Sequence, residues 1–395
     1  MELNLAVDET LEDINQEIVK RNPPSSRSYL QCNNLGADCE RQSWYRWRDV
    51  MTEHFNAGTL CTFGSGFDDE ALMTKRLRML TYIDLDTRNS KGKEYEVSDF
   101  AGHVLGHLDG VITGVKAAPK TMHVWEHKSV NPTKFKKLKK LKDEHGQKAA
   151  LELWDSVYYA QATLYMGLTG LKRHYLTVTT PGGRDMTTCR TNYDAGAFKA
   201  LQDKALRILE SEEAPPKISK RADYYICKWC NFSDLCHGNA MAKVHCRTCA
   251  HSTPLLEEQA GAPGKAAKRG AWKCEYHSEL ISTKKQREGC PDHLYNPSLI
   301  NWATTASMDA INNRIVYVTN NTHKPFVNAS RNDWSSDPMC FTSKDLQHLN
   351  EELLDSEHTV LQKMASFQTA HVETVKKARE KPKDGGVPFD DPIPF

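Results

Sequence analysis

"GHLDGVITGVKAAPKTMHVWEHKSV", residues 106–130, reads as two apolar strands joined by a turn, with Asp109 in the first and Glu126 and Lys128 in the second. Burying an unpaired charge is costly, so charges inside apolar strands need a compensating partner. Glu126 and Lys128 are two apart and share one face of their strand. Asp109, on the neighbouring strand, can point into the same cleft. Two carboxylates converging there suit Mg²⁺ or Mn²⁺, which prefer oxygen ligands. A lysine beside them can hold or deprotonate a water, or neutralise charge on a phosphate. That is minimal equipment for metal-assisted phosphodiester hydrolysis. The plainer alternative is a half-exposed hairpin with a surface Glu–Lys pair.

Outward from this stretch, the pattern alternates helices with strands. A polar, loosely helical segment covers 1–26, and helix is expected over 27–60 and 67–80. Strands are expected over 94–112 and 121–129, then one long helix over 148–169. Two further strands, 173–180 and 185–193, flank Pro181-Gly182-Gly183, and a helix over 195–213 stops before Pro215-Pro216. This order predicts an α/β core around a mixed sheet. A Cys-rich segment (224–293) follows, with a mobile loop expected over 257–270. Beyond it lie a β-like piece at "RIVYV" and an amphipathic helix over about 344–379. The predicted division is a core to 240, a small Cys-rich module over 241–300, an accessory region to 380 and a flexible acidic tail over 381–395.

The chain has 395 residues, enough for two or three domains. Its 52 basic and 51 acidic residues nearly cancel, so net charge names no partner. No apolar run approaches the roughly 18 residues that span a bilayer. The acidic N-terminus lacks the pattern of a signal peptide, which predicts a cytoplasmic protein. No G-x-x-x-x-G-K-[ST] sequence is present, so helicase activity would have to come from another protein.

In that setting the twelve cysteines argue for metal rather than disulfides. "ICKWCNFSDLCHG" presents Cys227, Cys230 and Cys236, which need a fourth ligand. Cys246, Cys249, Cys274 and Cys290 form a second set resembling a zinc ribbon. His277 and His293 each lie three residues past a cysteine and are possible substitutes. Four thiolates close a zinc site and imply a structural role. The leftover Cys61, Cys189 and Cys340 are expected as buried small hydrophobes.

"KFKKLKKLK", residues 134–142, carries six lysines and repeats Phe135, Leu138 and Leu141 every three residues. It is either a solvated helix face or a phosphate-tracking surface. "RQSWYRWR" offers Trp44 and Trp47 for base stacking, although a core helix beside the first cysteine set is the stronger reading.

"GHLDGV", "VWEHK" and "QATLY", preceded by Gly66 with Glu70 four residues on, resemble the PD-(D/E)xK nuclease superfamily. The likeness is to its RecB-like exonuclease branch, and it runs over residues 26–237. The resemblance implies a restriction-endonuclease-like α/β core. It implies that Glu70 (with Asp69 as the nearby alternative), Asp109, Glu126 and the His127 carbonyl bind Mg²⁺ or Mn²⁺. Lys128 assists the nucleophilic water, and Gln161 and Tyr165, four apart on one helical face, position lysine and substrate. His107 is expected to pack or hydrogen-bond locally, or to contact a metal carboxylate.

In the AddB and CRISPR-associated members of that branch, an upstream cysteine completes a [4Fe–4S] cluster. "CERQSWY" resembles that context, which makes Cys39 the candidate, with Glu40 where the family has proline and Cys32 as the rival. Zinc in the same thiolates is the alternative occupant. The size and arrangement look like a bacteriophage recombination or replication nuclease acting on DNA. A CRISPR-adaptation-type nuclease and a non-catalytic DNA- or partner-binding module on the same fold are the rivals. The final "PFDDPIPF" resembles the acidic tip of bacterial single-stranded DNA-binding proteins. By that likeness Asp390, Asp391, Ile393 and Phe395 would dock on host proteins that read such tips, or on a basic groove of their own chain.

Overall fold

The computed structural model describes residues 8–25, 27, 29–257, 270–330, 339–350, 352 and 354. The acidic tail, most of the loop expected over 257–270 and most of the helix expected over 344–379 lie outside them.

The central sheet takes its strands from both halves of the opening stretch. β2 (Asp84–Asp86), β5 (Gly110–Thr113), β6 (His123–Ser129), β7 (Arg173–Thr179) and β8 (Met186–Asn192) lie side by side in that order. β6 and β7 run parallel, and the other pairs are antiparallel. A parallel pair needs a crossover. Here α4 (Pro132–His145), α5 (Ala150–Trp154) and α6 (Ser156–Thr169) supply it. On the opposite face lies α3 (Ala57–Arg78), where Met73 and Leu77 pack with Leu85, Ile112 and Trp125. The sheet is thus covered on both sides, and the alternation along β6 separates Trp125, toward α3, from Glu126, toward α6.

The expected strand over 94–112 is three strands. β3 (Tyr95–Asp99) and β4 (Val104–Leu108) join β1 (Leu30–Gln31) in a second sheet ordered β1-β4-β3. Asp109 therefore stands between strands of two different sheets, not within one strand. The long helix expected over 148–169 is broken at Asp155, whose carboxylate caps α6 by accepting from the Tyr158 N–H at 2.9 Å. Asp at an N-cap starts a helix more readily than it continues one. The helix expected over 27–60 is replaced by β1, a 3₁₀ turn (Cys32–Gly36), α2 (Glu40–Arg48) and a loop. The N-terminal segment contains α1 (Glu9–Arg21), and α7 (Ala195–Glu210) ends five residues before Pro215.

Beyond α8 (Ser233–His237), the Cys-rich segment carries a three-stranded sheet of β9 (Ser252–Leu255), β10 (Ala271–Cys274) and β11 (Glu279–Ile281). "RIVYV" proves to be one of four strands: β12 (Ala303–Asp309), β13 (Arg314–Thr319), β14 (Pro325–Ala329) and β15 (Cys340–Phe341). A short α9 (Ser343–Leu346) follows. These sheets share a hydrophobic core with the first half of the chain, since Trp44, Trp47, Trp272, Tyr295 and Phe326 belong to one buried cluster. Trp47 stacks on Trp272 at 4.8 Å between centroids, and the buried Arg48 guanidinium lies over Trp44 and Trp272. The tryptophans of "RQSWYRWR" are core residues, closed to bases. No helix is long and apolar enough to cross a membrane among the described residues.

Candidate active site

Antiparallel pairing of Gly110 with Trp125 sets Asp109 beside Glu126 at the start of the β5–β6 ladder. Asp109 Oδ2 accepts from the His127 backbone N–H at 2.7 Å. Glu126 is 3% exposed, and its Oε1 accepts from Lys128 Nζ at 2.6 Å and Gln161 Nε2 at 3.2 Å. Its Oε2 is buried without a hydrogen-bonding partner in the protein. Gln161 Nε2 also lies 3.0 Å from the Tyr165 hydroxyl, which donates to the His107 carbonyl at 2.7 Å. A chain of contacts therefore runs from β4 through α6 to the face of β6 that carries Glu126 and Lys128. Gly106 makes it possible, because a Cβ there would sit 2.4 Å from the Tyr165 ring.

Glu70 reaches the same cleft from α3, half-buried. Asp69, its neighbour, is engaged elsewhere: its Oδ2 accepts from Ser129 Oγ at 2.6 Å and the Gly182 N–H at 3.2 Å. Of the two acids, Glu70 faces Asp109 and Asp69 ties α3 to the sheet.

The electrostatics are those of too many acids in too little water. Burial and the Asp109 charge push Glu126 up to about 8, against the pull of Lys128. The same two causes push Glu70 up to about 7. Burial raises Asp109 as well. Burial works against the Lys128 ammonium, but Glu126 and Asp109 outweigh it and hold the lysine above its ordinary value. Lys128 Nζ also lies 5.4 Å from the Tyr158 ring centroid, a further cation-stabilising contact. Three acids and one fixed cation leave the cluster short of positive charge. A divalent cation would supply it, and the unpartnered Glu126 Oε2 is a ready ligand atom. Glu70, Asp109 and Glu126 thus fit the donor set of such an ion.

His127 contributes its backbone here. Its ring points away, Nδ1 3.0 Å from Thr177 Oγ1 and Nε2 3.3 Å from Thr179 Oγ1, and burial holds it neutral with a pKa of about 4. His107 pairs with Glu96 of β3 at 3.3 Å on the cleft margin.

The cleft holds about 550 Å³. Its walls include Cys32, expected above only as a rival cluster ligand, and residues that the sequence reading did not single out: Gln31, Asn33, Phe63 and Phe67. Phe63, Phe67 and Glu70 recur at i, i+4 and i+7, so the aromatic pair shares the helix face of the expected ligand. That spacing was the available signal.

Both cysteine sets converge. Cys39, Cys227, Cys230 and Cys236 line one small cavity, with Gln42 Nε2 3.4 Å from Cys230 Sγ. Cys32 is not among them; it is buried at the carboxylate cleft, where desolvation pushes its thiol up to about 12. Cys246, Cys249, Cys274 and Cys290 line a second cavity together with His277, Asp292 and His293. Burial, then Cys290 and Cys274, push Cys246 up to about 12. Among the described residues, the donor atoms of His277, Cys290 and Asp292 lie within 4.8 Å of one another. Of the leftovers, Cys189 and Cys340 are buried, but Cys61 is exposed because it lies on the solvent side of α3.

The lysine-rich α4 buries Phe135 and Leu138 and exposes Lys136, Lys137, Lys139 and Lys140. Lys134 is ion-paired with Asp155 at 2.6 Å.

No family model and no curated protein matches the chain. Among solved structures, an alkaline exonuclease (LHK-Exo) from Laribacter hongkongensis aligns at 14% identity over 49% of this chain and 90% of that one, TM-score 0.33. The same enzyme in complex with dAMP aligns at 13% identity over the same shares, TM-score 0.33. The crystal structure of SSO0001 aligns at 13% identity over 57% of this chain and 96% of that one, TM-score 0.32. Similarity this low carries no argument, so the chemistry of the cleft has to be argued from its own side chains.

Proposed function

We propose that the protein is a metal-dependent deoxyribonuclease of the RecB-like PD-(D/E)xK type, an exonuclease serving DNA recombination, repair or replication. The observation that carries this reading is the Glu70, Asp109 and Glu126 cluster around Lys128, with Glu126 Oε2 buried and unpartnered. Glu70, Asp109, Glu126 and the His127 carbonyl would hold Mg²⁺ or Mn²⁺. Such an ion polarises a phosphoryl oxygen and acidifies a bound water. Lys128 supplies fixed positive charge against the extra negative charge of the phosphorane-like transition state. Gln161 orients the Glu126 carboxylate, and Tyr165 fixes Gln161 by bridging it to the His107 carbonyl.

Cys39, Cys227, Cys230 and Cys236 would hold a [4Fe–4S] cluster that ties the start of the core to its end. Zinc is the competing occupant. Cys246, Cys249, Cys274 and Cys290 would hold a structural zinc. The donor chemistry of four thiols around one cavity fits either group.

The deciding experiment digests end-labelled linear and covalently closed circular DNA with Mg²⁺ or Mn²⁺, beside a Glu126→Ala control. Loss of linear DNA from its ends, dependent on metal and on Glu126, is the expected result. Cleavage of circles at the same rate would refute the exonuclease, and activity unchanged in Glu126→Ala would refute the site.

A further inference from the structure

The carboxylate cleft does not end at Phe63 and Phe67. It opens into a groove of about 820 Å³ that shares Gln31, Asn33, Phe63, Phe67 and Lys128 with it. Three exposed phenylalanines stand along this path. Phe67 is 73% exposed, Phe63 48% and Phe55 37%. Phe55 and Phe63 meet edge to face at 5.2 Å, which fixes the Phe63 ring plane, while Phe67 stands free one helical turn closer to Glu70. Exposing this much aromatic surface beside a polar catalytic cleft is unfavourable unless something covers it.

We infer that this groove takes the substrate as a single strand, with bases stacked on Phe67 and Phe63 as the backbone enters the carboxylate cleft. The inference rests on the nuclease reading and names the form of its substrate. A paired base has both faces occupied by its neighbours, so an aromatic platform selects unpaired bases. The lining is also polar: Gln31 and Asn33 belong to it, and Asn33 Oδ1 is buried without a protein partner. Amide groups there suit the N–H and carbonyl edges of unpaired bases. The groove's other charges are largely matched internally, since Arg46 pairs with Glu53 at 3.1 Å and Lys243 with Asp49 at 2.6 Å. Arg27, exposed and lining both groove and cleft, can meet a backbone phosphate, and stacking on the phenylalanines supplies the rest of the hold.

The test measures binding of a fluorescent 20-nucleotide dT strand, an abasic strand of equal length and a blunt duplex to the full chain, with Ca²⁺ in place of Mg²⁺. Phe67→Ala should weaken dT binding roughly tenfold, in line with about 1–3 kcal/mol per stacked base. Phe67→Trp should bind at least as tightly as the parent. Affinity for the abasic strand and the duplex should stay within twofold of the parent. If Phe67→Ala and the Phe63→Ala/Phe67→Ala double variant bind dT like the parent, the inference is overturned. Digestion in Mg²⁺ by the same proteins separates the two readings. A parent that cuts DNA with no Phe dependence keeps the nuclease and loses the groove. A parent that binds dT through Phe67 yet never cuts keeps the groove and loses the nuclease.

Discussion

Lys128 Nζ lies 2.6 Å from Glu126 Oε1, and both side chains leave the same face of β6. The pair is inaccessible enough that neither charge can rely on water. Each depends on the other, on Gln161, and on whatever ion completes Glu126 Oε2. Removing one partner therefore has consequences that a surface Glu–Lys pair would not show.

Lys128→Ala should lower the single-turnover rate of DNA cleavage by roughly 10²–10³-fold, the scale of losing one preorganised electrostatic contact. Glu126→Ala and Asp109→Ala should lose more, with circular dichroism unchanged. The sharper comparison is Asp69→Asn, which touches the bonds to Ser129, a lining residue of the cleft, and to Gly182, but no bond of Glu70, Asp109, Glu126 or Lys128. It should cost stability and spare the rate. A rate loss in Asp69→Asn as deep as in Glu70→Gln would reverse the assignment of the two neighbours.

The Tyr165 hydroxyl bridge makes a second prediction. Tyr165→Phe should cost about 1 kcal/mol of stability and lower kcat several-fold through a loosened Gln161. Gly106→Ala should do the same by a different route, because its Cβ would collide with the Tyr165 ring. Overpacking of this kind destabilises by about 1–3 kcal/mol. Thermal melts and kcat of the two single variants and the double variant check it. If the two act through one contact, the double variant's losses fall short of additive.

How much of this was legible in sequence depends on whether the determinant was local. Glu126 and Lys128 were readable because a period of two fixes their shared face whatever the sheet does. Gln161 and Tyr165 were readable for the same reason on a helix. The strand break at Asp109 was not, because no proline or loop-length polar run marks it and only the partition of β4 and β5 between two sheets divides the stretch there. Asp155 was passed over as a helix interior although its N-cap chemistry was visible. The exposure of Phe63 and Phe67, and the burial of Trp44 and Trp47, depend on which helix face meets which sheet. Nothing local distinguishes an aromatic that will pack from one that will not. The choice between Cys32 and Cys39 is also tertiary, since both precede the core and only the chain's return through α8 puts one of them beside Cys236.

His103 gives a pH prediction. Its Nδ1 lies 3.2 Å from Trp47 Nε1 and its Nε2 3.0 Å from the Ala271 carbonyl. An indole N–H can only donate, so the ring must be neutral with its proton on Nε2. Burial lowers its pKa to about 4, with the nearby Arg247 guanidinium acting in the same direction. In the unfolded chain the ring titrates near 6.5, so below that pH the unfolded state binds a proton that the folded state refuses. Stability from this group is full above about 6.5 and falls with pH toward 4, by on the order of 3 kcal/mol. The bond to Ala271 joins the first half of the chain to β10, so acid should loosen that junction early. Urea melts at pH 7.5, 6 and 5 should show a shallower pH dependence for His103→Gln than for the parent. Equal slopes would refute the linkage.

The two cysteines near the start of the core separate cleanly by experiment. Cys39 lines the cavity of Cys227, Cys230 and Cys236, whereas Cys32 lies against Gly106 with its Sγ 2.9 Å from where a Cβ would be. Cys39→Ser should therefore remove the metal bound with Cys227, and Cys32→Ser should not. Protein purified without oxygen is expected to be brown and to contain iron. Cys39→Ser and Cys227→Ser should lose both colour and iron, while Cys246→Ser should lose zinc and keep the colour. Joining Cys39 to Cys227 closes a long loop, and loop-closure entropy makes such ties most effective when the loop is long. Both cluster variants should thus melt well below the parent. Cys32→Ser should retain full iron with a smaller drop in melting temperature. Elemental analysis of the parent and the four variants reads all of this at once. Zinc with no iron in the oxygen-free parent would replace the cluster by a zinc site, and iron lost from Cys32→Ser but kept in Cys39→Ser would exchange the two ligands.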